Sequence, residues 1–209
     1  MSDTRVFVGS MLAGLTALGV AVFMYTSSNR AMAAEDGPGP NLVITVAGEA
    51  ANGTVVIDLL PDVAPKHVAQ ITELARTGAY NNVVFHRVID GFMAQTGDVQ
   101  FGDLEDGYTP ERAGTGGSDR PDLPAEFSQE PFVRGTVGMA RAQDPDSANS
   151  QFFIMFAPNP GLNGQYTVVG NVESGMEAVD KIKLGDQSQN GVVTNPDRMI
   201  KVRIKADGK

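Results

Sequence analysis

The chain has 209 residues, of which 42% are apolar and 20% charged, which fits a folded protein with one ordinary core and excludes a disordered chain. A net charge of −9 argues against nucleic-acid binding, because neutralising phosphates needs a basic face. There is no cysteine, which excludes disulfides, thiolate chemistry and cysteine-based metal sites.

Near the N-terminus, residues 6–25 carry no charge, Arg5 precedes them, and Ala31 and Ala33 form an A-x-A processing pattern with Ala34 as the first mature residue. The apolar run is long for a signal peptide and just long enough to span a bilayer. Residues 1–33 are therefore read as a signal peptide or membrane anchor, with a cleaved signal favoured over a retained inner-membrane anchor. Both readings export the rest of the chain, most simply to a bacterial periplasm. Residues 34–40 hold two prolines and two glycines and read as a linker. The domain then occupies residues 41–209.

Two β-branched runs, 41–47 and 54–60, flank GEAANG and predict a β-hairpin. Val68, Ile71 and Leu74 recur at helical spacing, with Pro65 suited to the first turn and Gly78 to the stop. Strands are predicted at 83–89, 92–95, 136–140, 151–156, 166–172 and 199–206. A glycine-rich loop covers 97–132, and GMEAVDKIK (175–183) predicts a second short helix. Many short strands with only two helices point to a closed barrel and away from a βαβ sheet.

The sites of familiar chemistry are missing. His67 and His86 are the only histidines, and neither has a ligand partner at metal spacing, so both are expected to be structural. No G-x-S-x-G elbow is present. Asp186, Ser188, Asn190, Gly191 and Asp197 fall at calcium-loop positions, but a strand comes next where a helix is required, so a turn is expected there. No metal and no cofactor is called for.

One stretch does not fit a plain strand. FHRVIDGFMAQTGD (85–98) places the cation Arg87 among apolar residues. An arginine lying along a strand edge would explain it. However, Met93 and Gln95 share one strand face, and Gln151, Phe153 and Met155 share another. Apolar side chains beside amides describe a peptide-binding groove better than a core face.

FHRVIDGFMAQTGD, then GTGG (114–117), ANSQFFI and GLNGQYTVVGNVESGMEAVDKI together resemble the cyclophilin family of peptidyl-prolyl cis-trans isomerases, in its bacterial branch. The resemblance spans residues 41–206. It implies a mainly β fold, a closed eight-stranded antiparallel β-barrel capped by two α-helices. It also implies an isomerase that rotates X-Pro bonds in exported polypeptides and assists their folding, with no covalent intermediate. Arg87 matches the family's catalytic arginine. Phe92, Met93, Phe153 and Leu162 match the proline pocket, Gln95 and Gln151 the groove amides, and Ala140 a backbone contact. Arg141 and Tyr166 stand at groove positions where bacterial members carry these same residues. Gly161 stands where relatives carry tryptophan or phenylalanine, which implies a pocket missing one wall. The implied partners are proline-containing polypeptides bound by a monomer, with membrane contact only through the N-terminal segment. The alternative is a proline-peptide binding module or holdase chaperone with little turnover.

Overall fold

The structure, a computed structural model, describes residues 39–205. The predicted leader at 1–33 and most of the linker lie outside the described residues. The described chain forms nine strands, β1 (Asn41–Ala47), β2 (Gly53–Leu59), β3 (Val83–Val84), β4 (Arg87–Ile89), β5 (Met93–Thr96), β6 (Thr136–Met139), β7 (Phe152–Met155), β8 (Val168–Ser174) and β9 (Arg198–Lys205). Two α-helices join them, α1 (Pro65–Thr77) and α2 (Met176–Val179). One curled antiparallel sheet holds every strand, in the order β3-β9-β1-β2-β8-β6-β7-β5-β4.

The mainly β architecture matches the expected one, but the count is nine strands and the ladder's two edges are not hydrogen-bonded to each other. The reason is local. The segment predicted as one strand over 83–89 is interrupted at Phe85 and His86. There the backbone pairs with loops: Val84 N–H donates to Gly102, Phe85 N–H to Asp197, and His86 C=O accepts from Val193. The second helix is also shorter than predicted, four residues against nine.

The main core lies between the sheet and α1, with Leu42, Ile44, Ile57, Ile71, Phe85, Phe152 and Ile154 each at most 1% exposed. The helix ends as the sequence predicts. Gly78 adopts the left-handed conformation at φ 79°, and the bonds Gly78 N–H to Ala75 and Ala79 N–H to Leu74 close a Schellman turn.

The start of α1 is unusual. Ala64 offers no capping side chain. Glu126, 59 residues beyond His67, supplies the acceptor. Its carboxylate accepts from Lys66 N–H (3.1 Å) and His67 N–H (3.1 Å) and lies 2.6 Å from His67 Nδ1. Burial pushes the Glu126 carboxyl upward, but the bonds from the His67 ring and the two N–H groups outweigh it and hold it below the usual range. A depressed carboxylate stabilises the fold above its unfolded pKa, and that stabilisation is lost as pH falls through the folded value. Glu126→Ala is therefore expected to cost about 1–3 kcal/mol at neutral pH. The gap between wild type and variant should be full at neutral pH and close only at an acidic pH below the depressed folded value, where the wild-type carboxylate is protonated. Thermal unfolding at both pH values checks this; an equal gap at both contradicts it.

Candidate functional site

Register alone aligns the groove. Arg87 on β4 lies opposite Gln95 on β5, Gln95 opposite Phe153 on β7, and Phe153 opposite Gly138 on β6. Directly opposed residues share a face, so a cation, an amide and a ring stand in one row. The next row is Ile89, Met93 and Met155. These two methionines are at most 1% exposed and form the floor beneath the row.

Rings build the wall. Phe153 stacks on Phe132 at 5.7 Å between centroids, and Tyr166 meets both edge-on at 5.8 and 6.5 Å. A Cβ on Gly138 would lie 2.6 Å from both Phe132 and Phe153, so only glycine lets these rings settle on β6. Phe132 is 1% exposed and has no sequence signal beyond its apolarity. Gly161 is exposed in a short 3₁₀ turn, where a Cβ would meet only Asn159 Oδ1 at 3.2 Å; it lines neither cavity, and its neighbour Leu162 borders the groove instead.

The structure places the predicted groove residues around two adjoining cavities of about 180 and 230 Å³. All line the smaller one except Gln151, which lines the larger; Gln95, Ala140 and Arg141 border both. Arg141 is not a free cation. It stacks over the Tyr166 ring at 4.6 Å and donates to the carbonyls of Ala142, Gln143 and Gln165. It stiffens the ridge between the cavities.

Arg87 has more partners than the sequence discloses. Its Nη1 donates to Gln95 Oε1 (3.1 Å), Nε to Asn190 O (3.0 Å) and Nη2 to Asn190 Oδ1 (3.0 Å). A guanidinium has five N–H donors; among the described residues three are engaged, which leaves two, one on each terminal nitrogen. Partial burial pulls the group's pKa down from its ordinary value and Tyr166 opposes this. Arginine starts so high that it stays charged.

The amides form a one-way relay. Gln95 Nε2 donates to Gln151 Oε1 (2.9 Å), and Gln151 Nε2 donates to Gly116 O (2.7 Å). Guanidinium only donates and a carbonyl only accepts, so the two ends fix both amide orientations. Gly116 is pinned in turn by Asp98, which is 0% exposed. Asp98 accepts from the N–H groups of Gln100, Phe101, Gly114 and Gly116. The GTGG loop is thus wrapped round a buried carboxylate.

The histidines take no part in this. His67 belongs to the start of α1. Burial pulls His86 down to about 4 despite the field of Asp98, so it is neutral at pH 7 and adds no charge beside Arg87. The calcium-like loop carries no ligand cluster: no group of three or more His, Cys, Asp or Glu suited to a metal exists among the described residues. Asp197 accepts from the N–H groups of Glu49 and Lys183 instead.

The chain matches the family of cyclophilin type peptidyl-prolyl cis-trans isomerases over residues 42–204. It is 60% identical over 194 residues to a "Probable peptidyl-prolyl cis-trans isomerase" of Brucella suis biovar 1 (strain 1330), covering 93% of this chain and 97% of that protein. A solved cyclophilin from Hirschia baltica superposes with a TM-score of 0.64 at 25% identity, covering 79% of this chain and 74% of that one. A cyclophilin type isomerase from Cryptosporidium parvum, solved in the presence of the dipeptide Ala-Pro, gives 0.65 at 25% identity, covering 80% and 99%.

Proposed function

The chain belongs to the cyclophilin-type peptidyl-prolyl cis-trans isomerases and catalyses rotation about X-Pro bonds, and on that premise we propose that Arg87 is the catalytic group and the surrounding groove the proline site. One observation carries the proposal. Arg87 keeps two uncommitted N–H donors and borders a cavity lined by Phe92, Phe153 and Leu162.

The chemistry fits a reaction that breaks no covalent bond. The barrier is amide resonance, about 18–20 kcal/mol, and uncatalysed exchange takes roughly 10–100 s at 25 °C. In the twisted transition state the prolyl nitrogen becomes pyramidal and gains a lone pair. A donor aimed at that nitrogen stabilises the twisted state more than the planar one. One free N–H of Arg87 serves that nitrogen and the other the proline carbonyl. No proton is transferred. Because Gln95 and Asn190 hold the fork beforehand, it need not reorganise as the bond turns. The rings grip proline while Gln95, Gln151 and the Ala140 backbone hold the chain on its N-terminal side, so rotation occurs about one bond.

The Ala-Pro dipeptide used with the Cryptosporidium relative supports proline-containing peptides as substrates. An NMR titration with an Ala-Pro peptide is expected to shift resonances of Phe92, Phe153 and Leu162; unmoved signals there contradict the assignment.

The same reading includes a closed eight-stranded barrel, supported by the fact that β3 and β4 are consecutive and separated by two residues, Phe85 and His86. Counted as one strand they give eight. It also includes export, supported by the uncharged run at 6–25 and the A-x-A site, and with export a folding-assisting role for a monomer. Chain recovered from a periplasmic fraction is expected to begin at Ala34; an intact N-terminus in the membrane fraction contradicts cleavage.

A further inference from the structure

The segment 185–193 does two things to Arg87 at once. Its backbone lies along the outer edge of β4. Val88 N–H donates to Gly191, Gly185 N–H donates to Val88, Val193 N–H donates to His86, and Arg87 and Val192 form an isolated bridge. Its Asn190 then turns both a main-chain carbonyl and a side-chain carbonyl onto the guanidinium.

That double contact requires an unusual backbone. Asn190 has φ 56° and Gly191 φ 81°, successive residues in the left-handed region. Asparagine tolerates this region better than other side chains, and Asn-Gly is the favoured pair for such a turn. Asp186 fixes the turn from below, accepting from Ser188 N–H, Ser188 Oγ and Gln189 Nε2, while its own carbonyl accepts from Gly191 N–H. A Cβ on Gly191 would lie 2.5 Å from Ile89, so the turn is pressed against β4.

We infer that Asn190 is a positioning residue for catalysis: it sets the plane of the Arg87 guanidinium so that the two free donors face the prolyl amide. Gln95 alone fixes one terminal nitrogen and leaves the fork free to swing about the Cγ–Cδ and Cδ–Nε bonds. Asn190 removes that freedom by binding Nε and Nη2 together. This rests on the reading of Arg87 as the catalytic group.

Asn190→Gly isolates the effect. Glycine keeps the left-handed turn and the main-chain acceptor for Nε, and removes only the side-chain acceptor for Nη2. In the full-length protein kcat is expected to fall about tenfold, as for losing one hydrogen bond to a charged group, with KM and the thermal transition little changed. The decisive test is a double-mutant cycle with Arg87→Ala. Asn190→Gly should have no further effect once Arg87 is gone. An equal loss in both backgrounds, or wild-type kcat in Asn190→Gly beside an inactive Arg87→Ala, overturns the inference alone. Full activity in Arg87→Ala overturns the reading of Arg87 beneath it.

Discussion

Arg87→Ala is expected to lower kcat/KM by about 10²–10³, the usual loss when a preorganised donor to a transition state is removed. The protein should stay folded. Arg87 is only partly buried, and the acceptors it leaves behind, Gln95 Oε1 and the two oxygens of Asn190, lie at a groove mouth where water replaces it. Arg87→Lys should restore little. Lysine keeps the charge but has no planar fork to bind Gln95, Asn190 and substrate together. A protease-coupled assay on a proline peptide, read beside thermal unfolding, separates the two effects. Near-wild-type kcat/KM in a folded Arg87→Ala protein contradicts the mechanism.

Asp98→Ala should have the largest effect on stability. It leaves the N–H groups of Gln100, Phe101, Gly114 and Gly116 without their acceptor, the Phe101 bond fully buried and the other three partly so. Hydrogen bonds to a charged group contribute about 1.5–3 kcal/mol each, and with water able to replace part of the loss the variant should cost on the order of 3–5 kcal/mol. At roughly 2–4 °C per kcal/mol for a chain of this size, the melting temperature should drop by on the order of 10 °C. The damage should reach the groove as well, because Gly116 O is the end point of the Gln95–Gln151 relay. Asp98→Ala should therefore raise KM even at temperatures where it remains folded. A variant with an unshifted melting transition contradicts the central place given to this carboxylate.

Much of the fold and groove is legible in the sequence. The β-branched runs, the helix from Pro65 to Gly78 and the alternation that puts Met93 with Gln95 and Phe153 with Met155 all come from local periodicity. Alternation alone gathers Met93, Gln95, Gln151, Phe153 and Met155, whereas the role of Arg87 and the places of Phe92, Ala140, Arg141, Leu162 and Tyr166 rest on the family resemblance, and these last five lie outside the strands. What stays hidden depends on long-range closure. The interruption at Phe85 and His86 is set by backbone bonds to Gly102, Val193 and Asp197, which no local pattern reports. Glu126 caps a helix 59 residues away, and no capping pattern precedes that helix. Asp98 carries no local signal of its role, because its four donors come from two separate loops.

Arg87 itself reads as unpaired in the sequence, with the substrate as its natural partner. The structure gives it Gln95 and Asn190 as well, so on the proposed mechanism the guanidinium is already held in place before substrate arrives. The signal for Asn190 is present as an Asn-Gly pair, but calcium-like spacing draws attention to the carboxylates of the same loop.

The most direct measurement is two-dimensional exchange NMR on an X-Pro peptide at catalytic protein concentration, comparing wild type with Arg87→Ala. The wild type is expected to give cis-trans exchange cross-peaks on a sub-second timescale. With Arg87→Ala those cross-peaks should collapse while the peptide still perturbs the resonances of Phe92 and Phe153. Equal exchange in both proteins, or peptide binding without exchange in the wild type, would contradict bond rotation driven by Arg87.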